Sequence, residues 1–128
     1  MEYIVLLGRI LLGGFFIING YNHIRNIAMV AGYAQSKGVP SPKAASAITG
    51  ILLLIGGLSI VLGAYPYLGI VSIVVFLVPV SFKMHAYWNV QDPMAKMGDR
   101  INFMKNMAIL GAVLTLAAIP QPWPLSLF

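Results

Sequence analysis

The run YIVLLGRILLGGFFIINGYNHI, residues 3–24, decides how the rest of the chain is read. It is long enough for the ~20 residues that a membrane-spanning helix needs. A cleaved signal peptide is not expected: Glu2 stands where basic residues would, Arg9 interrupts the apolar core, and no small-x-small site follows. At about 100° per residue, Arg9, Gly13, Phe16, Gly20 and His23 fall on one stripe. Lipid would penalise the charge, and small residues allow close helix contact, so this stripe should face protein.

The remaining sequence has the same character. The chain of 128 residues is 59% hydrophobic and 9% charged, against roughly 25% charged residues in a soluble domain. It has too few charges to wet a water-facing surface. Further spans are expected over about 44–63, 68–88 and 101–119, giving with 3–24 an all-α, four-helix transmembrane bundle in one domain. Between the first two, Asn26 to Ser36 reads as a short amphipathic helix with Ile27, Val30 and Ala34 toward the interface, stopped by Gly38. Ser41-Pro42 then reads as a cap and first turn, and Asp92-Pro93 as another. Thr49, Gly56 and Gly63 share a stripe of the second span, with Gly50 and Gly57 beside it, a surface built for close packing. Pro79 should bend the third span, and Trp123 should anchor the chain at an interface.

Charge sets the expected orientation. Arg25, Lys37, Lys43, Lys83, Lys96 and Arg100 fall in the two long loops, whereas the end holding both termini has no basic residue outside the spans. The positive-inside rule then puts the long loops in the cytoplasm and both termini outside, in the cell membrane of a prokaryote. The net charge of +5 forms no basic stripe, so nucleic acid is not an expected partner. The lipid bilayer is. Cysteine is absent, which excludes a disulfide, a thiolate metal site and a thiol nucleophile; sulfur redox chemistry would take place on a substrate or partner.

Arg9 lies about 10 Å from the outer end of its helix. It either binds an anion, a lipid headgroup or a polarised ligand, or bonds helix carbonyls and water near the outer interface; Glu2 and the terminal carboxylate of Phe128 are the candidate acids for it. At the other end, His23 and His85 close the first and third spans, and antiparallel threading brings them to similar depth. Asp99, Asn102 and Asn106 share a face of the fourth helix. With Tyr87 and Trp88 at the rim, these would form a polar mouth for a quinone headgroup, a histidine donating to a carbonyl and an aromatic stacking on the ring. The bland alternative is an interfacial belt that anchors helix ends. The candidate ligand contacts are thus Arg9, His23, His85, Trp88, Asn102 and Asn106, and no catalytic residue is assigned. Haem between His23 and His85 is disfavoured, because both sit at helix ends without a second histidine pair. A metal on His23, His85 and Asp99 is weakly supported, and none is expected.

Gly8-Arg9-Ile10-Leu11-Leu12-Gly13-Gly14-Phe15-Phe16, the Gly20 to His23 helix end, Gly38-Val39-Pro40-Ser41-Pro42 and Gly56-Gly57-Leu58 follow the order seen in DoxX family membrane proteins. Phe82-Lys83-Met84-His85-Ala86-Tyr87-Trp88, then Asp92-Pro93, then Phe103 to Gly111 resemble one branch of that family, and the resemblance covers nearly the whole chain. It implies a four-helix integral membrane protein often labelled an oxidoreductase. Relatives include a subunit of a thiosulfate:quinone oxidoreductase, and others are linked to quinone or oxidative stress. Many relatives carry a Glu just before the second-helix Gly-Gly; here Leu53, Leu54 and Ile55 precede it, so an intramembrane Arg-Glu pair is missing. The resemblance implies a membrane component of a quinone-linked redox system, with a soluble redox partner and quinone as the ligand. A non-enzymatic scaffold for a soluble redox partner and a small carrier, which would need a homo-oligomer, are the alternatives.

Overall fold

The computed structural model describes residues 1–127. Its helices are α1 (Glu2–Arg25), α2 (Ile27–Ser36), α3 (Pro42–Leu62), α4 (Pro66–Met84) and α5 (Pro93–Leu116), with a 3-10 turn at Tyr87–Asn89. Among the described residues there is no strand. By length and composition α1, α3 and α4 can cross a membrane. α5 equals α1 in length but carries Lys96, Asp99, Arg100 and Lys105, so only its second half is apolar. Leu11, Ile18 and Val71 are 67%, 70% and 58% exposed. Hydrocarbon accepts such a surface at no cost, and the spans have their backbone bonds satisfied internally as lipid requires.

Close packing runs from α1 to α3, α3 to α4 and α4 to α5, with α2 lying on α3. The stripe expected on α1 is the buried one: Arg9, Gly13, Phe16 and Gly20 are its buried residues, and His23 is half-buried. Its glycines permit backbone contact with α3. A Cβ on Gly13 would stand 2.7 Å from the Gly57 carbonyl oxygen, one on Gly57 2.7 Å from the Gly13 oxygen, and one on Gly20 2.9 Å from the Gly50 oxygen. Gly56 serves the opposite face of α3, where a side chain would run into Ile73 of α4. Two buried hydroxyls of α4 are satisfied within the helix: Ser72 Oγ donates to the Leu68 carbonyl at 2.8 Å and Ser81 Oγ to that of Leu77 at 2.6 Å. Phe16, Leu53, Ile60, Ile73, Leu77 and Val113 meet in the core.

Helix ends follow local chemistry, with three corrections. Gly38 takes the left-handed conformation at φ 78° and stops α2 as expected, and Asp92 Oδ2 accepts from the Ala95 amide at 2.9 Å to cap α5. Ser41, however, makes no side-chain cap; its backbone is itself left-handed, at φ 46°. The expected face of α2 meets protein instead of the membrane interface: Ile27 and Val30 are half-buried and Ala31 and Ala34 buried, because the helix packs on α3. Trp123 is not at an interface. It is 2% exposed in the core, drawn in by the turn after α5 that returns the chain toward α1. α4 continues through Pro79.

Candidate functional site

The two ends of the bundle are chemically different. At the end holding both termini, α3 stops at Leu62, leaving its last carbonyls without helical partners. Each finds a donor. The Ser59 carbonyl accepts from the amides of Gly63 and Ala64, and that of Leu62 from Leu127. Arg9 serves the two between: its Nε donates to the Ile60 carbonyl at 3.0 Å and Nη2 to that of Val61 at 2.8 Å. Nη1 donates to the Pro124 carbonyl, and the guanidinium lies 5.8 Å from the centre of the Trp123 ring. Arg9 is 2% exposed, so it is a buried cation on the negative end of a helix dipole. Of the two acids considered for it, Glu2 is exposed and Phe128 lies outside the described residues.

At the opposite end, Asp99 on α5 is 6% exposed. Its Oδ2 accepts from Lys37 Nζ at 2.6 Å, and its Oδ1 from His85 Nδ1 at 3.2 Å. Burial raises the carboxyl's pKa, but the hydrogen bonds from Lys37 and His85, together with the Lys37 charge, outweigh it, and Asp99 sits below its ordinary value. The triad ties the end of α2 and the end of α4 to α5. His85 is aimed by its surroundings: α4 ends at Met84, and Phe82, Tyr87 and Trp88 pack edge-on around Phe103 of α5, with ring centres 5.3 to 5.7 Å from it.

Beside this clamp is a cavity of about 500 Å³ lined by residues of α1, α2, α4 and α5, with Leu53 of α3 in its wall. That volume falls within the roughly 300–1,000 Å³ of small-molecule sites. Phe15, Phe16, Phe76 and Leu77 supply apolar and aromatic wall; His23, His85, Asn19 and Asn106 supply polar groups, with exposed Tyr33 and Lys105 beside them. His23 Nδ1 donates to the Asn19 carbonyl at 2.9 Å, and its ring meets Phe76 edge-on at 6.0 Å. A smaller cavity of about 200 Å³, reaching under α2 to Ser46 and Thr49 of α3, shares His23, Phe76, Val80 and Met84 with the first.

Of the sequence-derived candidates, His23, His85 and Asn106 line the larger cavity together. Asn102 is half-buried and Trp88 is 47% exposed in the aromatic cluster; neither lines either cavity. Arg9 is at the other end. Asn106 is 8% exposed, and among the described residues its amide has no hydrogen-bond partner. No group of three His, Asp or Glu side chains able to hold a metal ion occurs among the described residues. Sequence reasoning missed Lys37. The available signal was that a chain with three acidic residues places one, Asp99, on an inward helix face, where it needs a cation.

Comparison with known proteins agrees with this architecture. The DoxX family profile matches residues 4–86, which include Arg9, His23 and His85. The chain is 31% identical over 124 residues to the inner membrane protein YphA of Escherichia coli (strain K12), covering 97% of this chain and 87% of that protein. No solved structure matches the chain. Its apolar spans, the profile match and the full-length relative make this multi-pass membrane protein a member of the DoxX family.

Proposed function

We propose that the protein is a membrane component of a quinone-linked redox or oxidative-stress system, holding a quinone-type ring in the larger cavity. A soluble redox partner would exchange electrons with that ring. In this reading the fourth span begins within α5, at about residue 101, and the protein resides in the inner membrane, consistent with the name of its YphA relative. The observation that carries the proposal is Asn106. The residue is 8% exposed, and its amide, open to the cavity, has no protein partner among the described residues. A ligand oxygen in the cavity would take a hydrogen bond from it. The aromatic wall suits a planar ring, and the smaller apolar cavity behind His23 offers room for part of a tail.

The test uses the purified full chain in detergent with a decyl-substituted para-benzoquinone, offered in both oxidation states. Thermal shift and equilibrium binding should show saturable binding of at least one form. Asn106→Leu, which replaces the amide with an apolar group of similar size, should weaken binding about tenfold, the equivalent of one lost hydrogen bond to a buried partner. If neither oxidation state binds, the reading fails.

A further inference from the structure

Resting on the reading of this cavity as a ring-binding site, the geometry points to a preference for the reduced, dihydroxy form of the ligand over the dicarbonyl form, imposed by the tautomers of His23 and His85. Both imidazoles line one cavity. Both have Nδ1 committed to a group that only accepts: His23 to the backbone carbonyl of Asn19, and His85 to the carboxylate of Asp99. In each case Nδ1 must carry the proton. A neutral imidazole has one donor and one acceptor nitrogen, so Nε2 is left as a lone pair on both rings. Neither Nε2 has a hydrogen-bond partner among the described residues.

The cavity therefore offers two imidazole acceptors, with the Asn106 amide able to donate or accept. A para-hydroquinone brings two hydroxyl donors to this set. The corresponding benzoquinone brings only acceptors, so its oxygens would face lone pairs, and only Asn106, among the buried side chains, could donate to it without a change of protonation. Asn19, Tyr33 and Lys105 can donate as well, but the Asn19 amide already donates to the Phe15 carbonyl, and Tyr33 and Lys105 are exposed. The expected role of a histidine donating to a quinone carbonyl is thus reversed: the neutral rings accept from a hydroxyl.

Asp99 is the positioning residue for His85. Its two oxygens are divided, Oδ2 to Lys37 and Oδ1 to His85. In Asp99→Asn the single amide oxygen goes to the charged donor, Lys37, which turns the NH2 group toward His85 Nδ1. The ring must then accept at Nδ1 and carry its proton on Nε2, where it becomes a donor to the cavity. This predicts a change in which ligand is preferred, and not merely weaker binding.

The experiment measures affinities, under anaerobic conditions at neutral pH, of the full chain in detergent for three probes of identical tail: a decyl-substituted para-hydroquinone, the para-benzoquinone and the hydroquinone dimethyl ether. Wild-type protein should bind the hydroquinone about tenfold or more tightly than either other probe, since each of those leaves buried acceptors unpaired. Asp99→Asn should move the preference toward the benzoquinone, whereas Asn102→Ala, outside the cavity, should leave the ratio unchanged. Benzoquinone binding equal to or tighter than hydroquinone in wild type overturns the inference while leaving the ring-binding reading intact. Binding of none of the three removes both. The wild-type comparison decides the question even where a variant does not fold, and an unchanged ratio in folded Asp99→Asn refutes the part assigned to Asp99.

Discussion

Arg9 shows how one side chain can look like a functional site while answering a backbone requirement. Its three carbonyl contacts meet the need of a helix end that has no water to turn to. Arg9→Leu would leave the Ile60 and Val61 carbonyls unsatisfied and should destabilise the folded protein by about 2–6 kcal/mol, taking roughly 1–3 kcal/mol for each buried orphan group. Arg9→Lys should recover only part of this, because a single ammonium cannot reproduce the guanidinium fork. Thermal unfolding in detergent measures the order wild type, Lys, Leu. Ligand affinity of the folded Arg9→Lys protein should match wild type, since Arg9 and the cavity lie at opposite ends. Equal stability of all three would show that the carbonyls find other partners.

Helix elements meet here through missing side chains. The α1–α3 seam is built from Gly13, Gly20, Gly50 and Gly57, whose neighbours across it are backbone oxygens or side chains already in contact. In lipid there is little hydrophobic gain from bringing helices together, so close approach and the dispersion it allows must supply the association. Gly57→Ala places a methyl against the Gly13 oxygen and should cost about 1–3 kcal/mol through forced separation of the helices. Gly111→Ala, on α5 with open space around it, should be neutral or stabilising by up to ~1 kcal/mol through helix propensity. Thermal midpoints of the two variants measured side by side decide this. A tolerated Gly57→Ala would mean that the seam is looser than its geometry implies.

At the scale of the whole molecule, the two ends divide structure from candidate function. One end is held by Arg9, Trp123 and the returning C-terminal segment; the other holds the Lys37–Asp99–His85 clamp beside the cavity. The loops beside that clamp carry the basic residues, so the cavity mouth should face the cytoplasm. The absence of cysteine makes this measurable. With a membrane-impermeant maleimide, Glu2→Cys should react in intact cells and Gln91→Cys only after permeabilisation; both positions are exposed. The reverse pattern would invert the orientation.

Spans, their apolar outer faces and the inward stripe of α1 were determined by the sequence alone, because hydrophobic length and 3.6-residue periodicity are local properties. The same holds for the Asp92 cap and the Gly38 stop. His23, His85 and Asn106 could be named as neighbours because antiparallel threading fixes depth. Depth does not fix rotation or distance, and so Asn102 and Trp88 were indistinguishable from them. Only the tertiary structure decided that Lys37 reaches Asp99, that Arg9 spends its donors on α3, that Trp123 is core, and that both imidazoles have Nδ1 already engaged. All but the bond from His23 to Asn19, one turn away on the same helix, depend on contacts between residues further apart in the chain, many of them polar. A buried polar group takes whichever partner the packing brings within hydrogen-bond reach, and no periodicity in the sequence records which one that is.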